Sequence, residues 1–348
     1  MSWEKVLDQY DVLIEKKLEE FFEKVKDEAK TYHPFIEKVY SDIEEFVLRK
    51  GKRLASYSTF ITYKSYTDVM DNRIMKVCVG IELYRHCILV HDDLVDKDLL
   101  RRGKKTLHEV FAEYYDDRLG EGTAVFVGNI IYALALQALL NSGFAQGKTE
   151  RVASLLSEGY RNVNESQTLD LLFEYTEPDI NEWYVMASRR AASLFKTTIL
   201  AGAILGNAPE KDVGILGEAA TNIGYSFDIQ DDIIDTFASP GQYGREPGGD
   251  VANRKKPLHL IYALKLVDRK NLNTLKDLVG KKPLLPKDLE MIKATIRESG
   301  ALRATKEKSK NHAKKARLLI AQTSLSDEAK NFFANLIKYI GESLEWYK

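Results

Sequence analysis

Residues 3–22 read WEKVLDQYDVLIEKKLEEFF, and the spacing of their apolar side chains decides the fold class. The apolar residues that recur at helical spacing include Trp3, Val6, Leu7, Tyr10, Leu13, Ile14, Leu18, Phe21 and Phe22. Intervals of three and four residues place these side chains on one face of an α-helix, whereas a half-buried β-strand would alternate apolar and polar residues. The helical spacing recurs along almost the whole chain of 348 residues. The sequence therefore predicts an all-α fold.

Prolines and turn-forming residues mark where the helices end. The eight prolines are Pro34, Pro178, Pro209, Pro240, Pro247, Pro257, Pro283 and Pro286. Breaks at these positions predict about ten or more helices. Residues 239–250 are rich in glycine and proline and long for a simple connection, which favours a functional loop such as a lid. Residues from about 285 return to charged amphipathic helices without a change in composition, so we expect a single domain over residues 1–348.

Charge and composition exclude several classes of protein. The 51 basic and 52 acidic residues nearly cancel, so no net field attracts nucleic acid or an anionic membrane. The longest apolar stretch, residues 124–140, is interrupted by Asn129 and Gln137 and is shorter than the roughly 20 residues that cross a bilayer. We expect a core helix there and no membrane span. The chain has only two cysteines, both in an apolar stretch, and its first residues are charged where a signal peptide would be apolar. Both features favour a cytoplasmic location.

Two aspartate clusters carry the chemistry that the sequence predicts. Residues 92–96 read DDLVD and residues 231–235 read DDIID. On a helix the first and last carboxylates of each cluster lie four residues apart on one face, where they repel each other by roughly 3 kcal/mol at an effective dielectric near 20. Magnesium offsets such repulsion, since it takes carboxylate oxygens and keeps water and phosphate oxygens. A di-iron carboxylate bundle would need Glu-x-x-His pairs on facing helices, which the sequence lacks.

Magnesium held by carboxylates implies an anionic ligand, and basic residues recur where such a ligand needs them. They are Lys52, Arg53, Arg101, Arg102, Lys196, Arg245, Lys255 and Lys256. The order of these residues and the two clusters over about residues 45–260 resembles that of the trans-type prenyl diphosphate synthases. The motifs that carry the resemblance are Gly51-Lys52-Arg53, residues 92–96, Arg101-Arg102-Gly103, Lys196-Thr197, residues 231–235, Gly244-Arg245 and Asp250 through Lys255-Lys256.

The resemblance implies an all-helical isoprenoid synthase bundle in which both clusters bind about three Mg²⁺ ions at a central cavity. By that resemblance Asp92, Asp96 and Asp231 are direct ligands, and Asp93, Asp232 and Asp235 hold metal-bound water. The positions that match contacts to the allylic diphosphate are Arg101, Lys196, Thr197, Arg245 and Lys255. Lys52 and Arg102, with Arg53 in the same motif, match the site of isopentenyl diphosphate, and Gln167 matches a residue that lines the pocket. The family is usually homodimeric, and its catalytic set corresponds to Asp92, Asp96, Arg101, Lys196 and Asp231.

Three positions depart from the family pattern. Ala55 replaces an arginine that binds isopentenyl diphosphate in the family. Arg85 stands seven residues before Asp92, where the family has histidine or glutamine, and it either restores the missing charge or forms an ordinary salt bridge. Asp228 replaces a glutamine beside the second cluster, and it either orders metal-bound water or pairs with Lys196.

The length of the product depends on how deep the pocket runs below the first cluster. Cys87 and Ile88, five and four residues before Asp92, are not aromatic, so nothing bulky stops the product there. Tyr84 lies about one helical turn deeper, a rise of about 5.4 Å, which is comparable to one isoprene unit. We expect geranylgeranyl diphosphate, while farnesyl or longer products stay open. A terpene cyclase has no use for Lys52 and a non-catalytic subunit would have lost aspartates, so both alternatives are less favoured.

Overall fold

The computed structural model describes residues 3–67, 71–239 and 247–342, and over these residues the chain is helical apart from one short hairpin. The helices in the first two thirds are α1 Trp3–Tyr32, α2 Pro34–Leu48, α3 Leu54–Ser65, α4 Asn72–Asp96, α5 Leu107–Ala112, α6 Asp117–Leu140, α7 Gln146–Phe173, α8 Ile180–Ala187, α9 Ala191–Leu205 and α10 Glu210–Phe237. The remaining ones are α11 Gly249–Ala252, α12 Leu258–Leu266, α13 Arg269–Leu278, α14 Pro286–Glu298, α15 Ala301–Ala321 and α16 Asp327–Glu342. The all-α prediction is confirmed.

The chain divides into two compact units. Unit 1 comprises the residues up to Glu158, Thr197–Val213 and Leu325–Ala329. Unit 2 comprises Gly159–Lys196, Gly214–Ser324 and the residues from Lys330 onwards. The single domain expected over residues 1–348 stays a prediction.

In unit 1 the amphipathic helix α1 packs on α2 and α4. The side chains of Leu7, Ile14, Leu18 and Phe22 are buried, as the spacing of apolar residues predicts. Tyr10 adds aromatic contacts with α3: its ring centroid lies 4.9 Å from that of Tyr57, edge-on, and 5.3 Å from that of Phe60, tilted. This burial removes one face of α1 from water and holds the helix against the rest of the unit.

Helix α6 is long and apolar enough to cross a membrane by length and composition alone. Its packing shows instead that it is a core helix, as predicted for residues 124–140. It lies along α4 so closely that a Cβ atom on Gly80 would come 2.8 Å from the carbonyl oxygen of Ala135. A Cβ atom on Gly128 of α6 would meet the ring of His91 in α4 in the same way.

A tight hairpin follows α4 and sets the direction of two arginines. Helix α4 ends at Lys97, which adopts a left-handed conformation with φ 57°. Strands β1 Leu100–Arg101 and β2 Lys104–Lys105 then pair antiparallel. Both turn residues have positive φ, 54° at Arg102 and 73° at Gly103, as a two-residue hairpin of the I′ type requires. The turn therefore points consecutive arginine side chains in different directions.

In unit 2 the core forms around Trp183 of α8, which is fully buried with Ile229 and Ile233 of α10 and Leu258 of α12. A second cluster contains Val251, Leu260, Ala263, Leu275, Ile292, Ile296 and Ala301. The last three of these residues follow position 285. Their side chains are buried against earlier residues of the same unit.

Candidate active site

The first aspartate cluster, Asp92, Asp93 and Asp96, occupies the last turns of α4 in unit 1. Arg101 of the hairpin lies over it. Its Nε donates a short hydrogen bond to Asp93, and its Nη2 lies 3.4 Å from Asp92 Oδ2 and 3.9 Å from Asp98 Oδ2. Asp93 is almost fully buried, whereas Asp92 and Asp96 are partly exposed. The geometry therefore leaves Asp92 and Asp96 more accessible to a bound ion than Asp93.

Burial raises the pKa of Asp93 to about 7, with Arg101 lowering it and Asp92 raising it. Removing a carboxylate from water disfavours its charged form, and one guanidinium does not fully offset that cost. Among the described residues, the charges that act on Asp93 are those of one cation, Arg101, and of two carboxylates, Asp92 and Asp98. A cation at the cluster would lower the free energy of the ionised carboxylates.

A group of cationic side chains surrounds the segment between α2 and α3 in unit 1. The guanidinium of Arg102 lies against Gly51, where a Cβ atom would come 2.6 Å from Arg102 Cζ. Arg102 Nη1 donates to the carbonyl oxygen of Arg49 at 2.8 Å, and Arg49 Nη1 donates to that of Arg101 at 3.3 Å. Glycine at position 51 thus makes room for the guanidinium, and a Cβ atom there would displace the end of the Arg102 side chain. Lys52 follows directly in this segment.

Arg85 belongs to the same cationic group. The pKa of Arg102 is lowered to about 9, mainly by burial and in addition by the charges of Arg85 and Arg53. Burial also lowers the pKa of His86, again with contributions from Arg85, Arg102 and Arg53. The buried carboxylate Glu82 is close to the same groups. The cations outnumber the carboxylates around it, so an anion bound here would be stabilised.

The prediction that Arg53 binds substrate is corrected by its surroundings. The Arg53 side chain is fully buried, and its Nη1 donates to the carbonyl oxygen of Val47 at 2.8 Å and to Glu82 Oε2 at 3.4 Å. Its Nη2 lies 3.3 Å from Glu15 Oε1. Since these contacts occupy most of the guanidinium donors, Arg53 holds the segment in place and presents no face to a substrate.

The second aspartate cluster, Asp231, Asp232 and Asp235, lies on α10 in unit 2, and Arg190 is its main cation. Arg190 sits between α8 and α9. Its Nε lies 3.1 Å from Asp228 Oδ1 and its Nη2 3.2 Å from Asp232 Oδ1. Its Nη1 lies 3.8 Å from Asp170 Oδ1. One guanidinium thus bridges α7 and two successive turns of α10.

Negative charge exceeds positive charge here as well. Burial raises the pKa of Asp228 to about 7 and that of Asp232 well above its usual range, although Arg190 lowers both. Burial opposes the charge of Arg190, but the surrounding carboxylates outweigh it and raise the Arg190 pKa. Lys255 adds a second cation, 3.4 Å from Asp170 Oδ2 and 3.8 Å from Asp250 Oδ1.

The structure corrects the partner expected for Asp228. Its carboxylate pairs with Arg190, so the pairing with Lys196 is wrong, and Lys196 is exposed on α9. Thr197 is buried, and Gln167 is partly buried on α7. Arg245 lies outside the described residues. The sequence signal that was missed is the basic pair Arg189-Arg190 in the break before an apolar helix.

Both clusters suit a hard cation. The Oδ2 atoms of Asp93, Asp228 and Asp232 are buried and accept no hydrogen bond from any described residue. Within residues 3–67, 71–239 and 247–342, no three His, Cys, Asp or Glu side chains converge into a closed metal site. Mg²⁺ needs no closed site, because it takes one or two carboxylates and fills its octahedral shell with water and phosphate oxygens. The donor atoms present therefore fit Mg²⁺.

The residues predicted to set product length lie on α4 before the first cluster. Tyr84 and Cys87 are buried, and Ile88 is partly exposed. The Cys87 thiol donates a hydrogen bond to the carbonyl oxygen of Tyr84 at 3.0 Å, so the thiol lies against the backbone of α4. Ile88 is four residues from Asp92 and shares its side of α4.

Comparison with known proteins decides the family. Residues 36–296 match the sequence pattern of the family described as polyprenyl synthetase. The chain belongs to the polyprenyl synthetase family. It is therefore a prenyltransferase. The short chain isoprenyl diphosphate synthase of Methanocaldococcus jannaschii is 30% identical over 278 residues, which cover 79% of this chain and 82% of that protein. The geranylfarnesyl diphosphate synthase of Aeropyrum pernix is 28% identical over 301 residues, covering 85% and 91%.

A solved structure shows that the fold is that of this family. The geranylgeranyl pyrophosphate synthase of Corynebacterium glutamicum, in complex with isoprenyl diphosphate and magnesium, superposes with a TM-score of 0.90. The alignment covers 97% of this chain and 99% of that one at 19% identity. At this identity the likeness establishes the polyprenyl synthetase fold, while the substrates have to be argued from the site.

Proposed function

We propose that this polyprenyl synthetase condenses isopentenyl diphosphate with an allylic diphosphate and that geranylgeranyl diphosphate is its main product. The observation that carries the proposal is the charge balance of the site. Among the described residues, each aspartate cluster has more carboxylates than cations, as a site for Mg²⁺ and a diphosphate needs. The group of Arg85, Arg102 and Arg53 has the opposite balance, as a site for a second diphosphate needs, and Lys52 is next to Arg53 in the chain. A terpene cyclase would not need that second site.

In this proposal about three Mg²⁺ ions are held by Asp92, Asp96 and Asp231, while Asp93, Asp232 and Asp235 order the bound water. When bound, Mg²⁺ offsets the negative charge that builds on the departing diphosphate. Arg101, Lys196 and Lys255 donate hydrogen bonds to the allylic diphosphate, while Arg190 holds the carboxylates of Asp228 and Asp232 in place.

The cationic group orients the second substrate. Lys52, Arg85 and Arg102 hold the diphosphate of isopentenyl diphosphate, so that its double bond is fixed near the allylic carbon. The double bond attacks as the allylic carbon–oxygen bond breaks, and the released diphosphate takes the proton that is lost. Positioning and charge stabilisation then supply the acceleration, and no protein nucleophile is needed.

The test is to incubate the purified protein with Mg²⁺, isopentenyl diphosphate and labelled allylic diphosphates of ten and fifteen carbons, and to size the products by chromatography. We expect mainly a twenty-carbon diphosphate and no product when EDTA removes the metal. A fifteen-carbon or twenty-five-carbon main product would overturn the proposed length. Failure to elongate any allylic diphosphate would overturn the reaction itself.

A further inference from the structure

Helix α1 lies outside the residues that match the family pattern, 36–296, yet its side chains reach the segment that carries Lys52. Asp11 Oδ1 accepts a hydrogen bond from the Arg53 backbone N–H at 3.3 Å. Glu15 Oε1 lies 3.3 Å from Arg53 Nη2. Two carboxylates one helical turn apart thus fasten α1 to the residue next to Lys52.

A third contact from α1 falls on Lys52 itself. The Lys52 ammonium lies 5.6 Å from the centroid of the Trp3 ring, within the range of a cation–π interaction. Trp3 precedes Asp11 by eight residues, about 12 Å along the helix axis. The contacts at Asp11 and Glu15, together with the buried apolar face of α1, therefore hold the helix that carries the indole of Trp3.

The contact reduces the conformational freedom that the Lys52 side chain loses when it binds an anion. A lysine side chain has four flexible bonds, and ordering them on binding lowers affinity. The indole face attracts one side of the ammonium and restricts the chain before binding. An ammonium has three donors, so the side that faces away from the ring still donates to phosphate oxygens.

We propose that Trp3 is a positioning residue for Lys52, through which helix α1 sets the affinity for the second diphosphate. The inference rests on the proposed function, since it assigns Lys52 to isopentenyl diphosphate. Trp3 acts through Lys52 and does not contact the reacting atoms.

The test compares Michaelis constants for the two substrates in Trp3→Ala, Trp3→Phe and Val12→Ala. We expect Trp3→Ala to raise the KM for isopentenyl diphosphate about fivefold, the factor that corresponds to about 1 kcal/mol. The KM for the allylic substrate and kcat should stay unchanged, and Trp3→Phe should recover most of the loss because phenylalanine keeps an aromatic face. Val12 is on the same helix and 71% exposed, so Val12→Ala is the control for a general effect of α1.

A double variant separates this inference from the proposed function. Lys52→Ala should raise the same KM, and Trp3→Ala should add nothing in the Lys52→Ala background. If Lys52→Ala leaves the KM unchanged, the assignment of Lys52 fails. If Lys52→Ala raises it but Trp3→Ala does not, or if Trp3→Ala changes both KM values equally, the positioning role of Trp3 fails. Equal thermal midpoints of all variants confirm that each one is folded.

Discussion

A single charge has a large effect where burial weakens the competition from water. Arg85 lies close enough to Arg102 to lower its pKa, so these two guanidinium groups repel each other when no anion is bound. A diphosphate between them would relieve that repulsion. That Arg85 replaces the arginine missing at position 55 stays a prediction.

We expect Arg85→Gln to raise the KM for isopentenyl diphosphate about tenfold and to change the KM for the allylic substrate much less. The reason is the loss of a charge-assisted hydrogen bond, worth roughly 1.5 kcal/mol or more. Steady-state kinetics with each substrate varied in turn provides the measurement. Arg85→Lys should be milder, and Ala55→Arg should partly rescue Arg85→Gln. An equal rise in both constants would show that Arg85 is a structural residue.

His259 makes stability depend on pH in unit 2. It is fully buried, its Nε2 lies 3.0 Å from Thr236 Oγ1, and burial lowers its pKa to about 3. An unfolded chain binds a proton at this histidine below about pH 6.5, whereas the folded chain does not. The stability that the neutral ring contributes is therefore complete above about pH 6.5 and is lost as the pH falls towards 3.

We expect the free energy of unfolding to fall between pH 6 and pH 4 by up to about 1.4 kcal/mol per pH unit through His259. Urea denaturation at several pH values measures this slope. His259→Gln should flatten it, since glutamine takes up no proton in this range. A variant with the same slope as the unaltered protein would show that other groups cause the acid sensitivity.

Helices approach most closely where one of them carries glycine. A Cβ atom on Gly224 of α10 would come 2.3 Å from the Cα of Ala192 at the start of α9. Arg190 is two residues before that contact, and Asp228 is one turn after it. The glycine therefore fixes the distance between the arginine and the carboxylate that it pairs with.

We expect Gly224→Ala to lower the free energy of unfolding by about 1–3 kcal/mol, because the two helix backbones must separate. The same displacement should reduce kcat through Arg190. Gly214→Ala on the same helix is the control, since its Cβ would meet no described atom within 4 Å. Alanine there should be neutral or stabilise the helix by up to about 1 kcal/mol. Similar urea midpoints for both variants would contradict the packing argument.

Helix α4 also carries the residue proposed to end chain growth. Tyr84 is buried and lies two turns before Asp92, and no aromatic residue stands at Cys87 or Ile88 between them. Replacing Tyr84 by alanine should lengthen the product by at least one isoprene unit, because the phenol ring would no longer block the tail. Chromatography of the reaction products measures the change. An unchanged product distribution would mean that another residue forms the floor.

At the scale of the whole molecule, α6 presents an apolar surface that its own unit leaves open. Val125, Phe126 and Leu140 are 43%, 68% and 52% exposed on this helix. Apolar side chains recurring along one exposed helix face are typical of a protein–protein contact. We propose that a second copy of the chain covers this face, in agreement with the homodimer expected from the resemblance.

We expect the unaltered protein to sediment at about twice the chain mass of 39.6 kDa. Phe126→Glu should shift it towards the monomer, because a charge would have to be buried at the interface. Circular dichroism shows whether the variant keeps its helices. Sedimentation velocity decides the case: a monomeric unaltered protein, or a variant that stays dimeric, would exclude this face as the interface.

The sequence by itself determined the helical class, the core helix at residues 124–140 and the position of both aspartate clusters. The physical reason is that these features are local. Apolar periodicity acts over one or two helical turns, and an aspartate pair four residues apart lies on one helix face wherever the helix is placed. The order of the motifs, which indicated the family, is likewise a property of the linear sequence.

Only the tertiary structure decided which cation serves each group of carboxylates. Arg190 is 38 residues from Asp228 in the chain, and Arg53 is 29 residues from Glu82. Whether such residues meet depends on how helices pack, which neighbouring residues in the sequence do not encode. The sequence also did not show which of these residues are buried. Arg53 and Lys52 are adjacent in one motif, yet Arg53 is enclosed and Lys52 is partly exposed. The packing of the helices, and not the order of the residues, buries Arg53 and leaves Lys52 partly exposed.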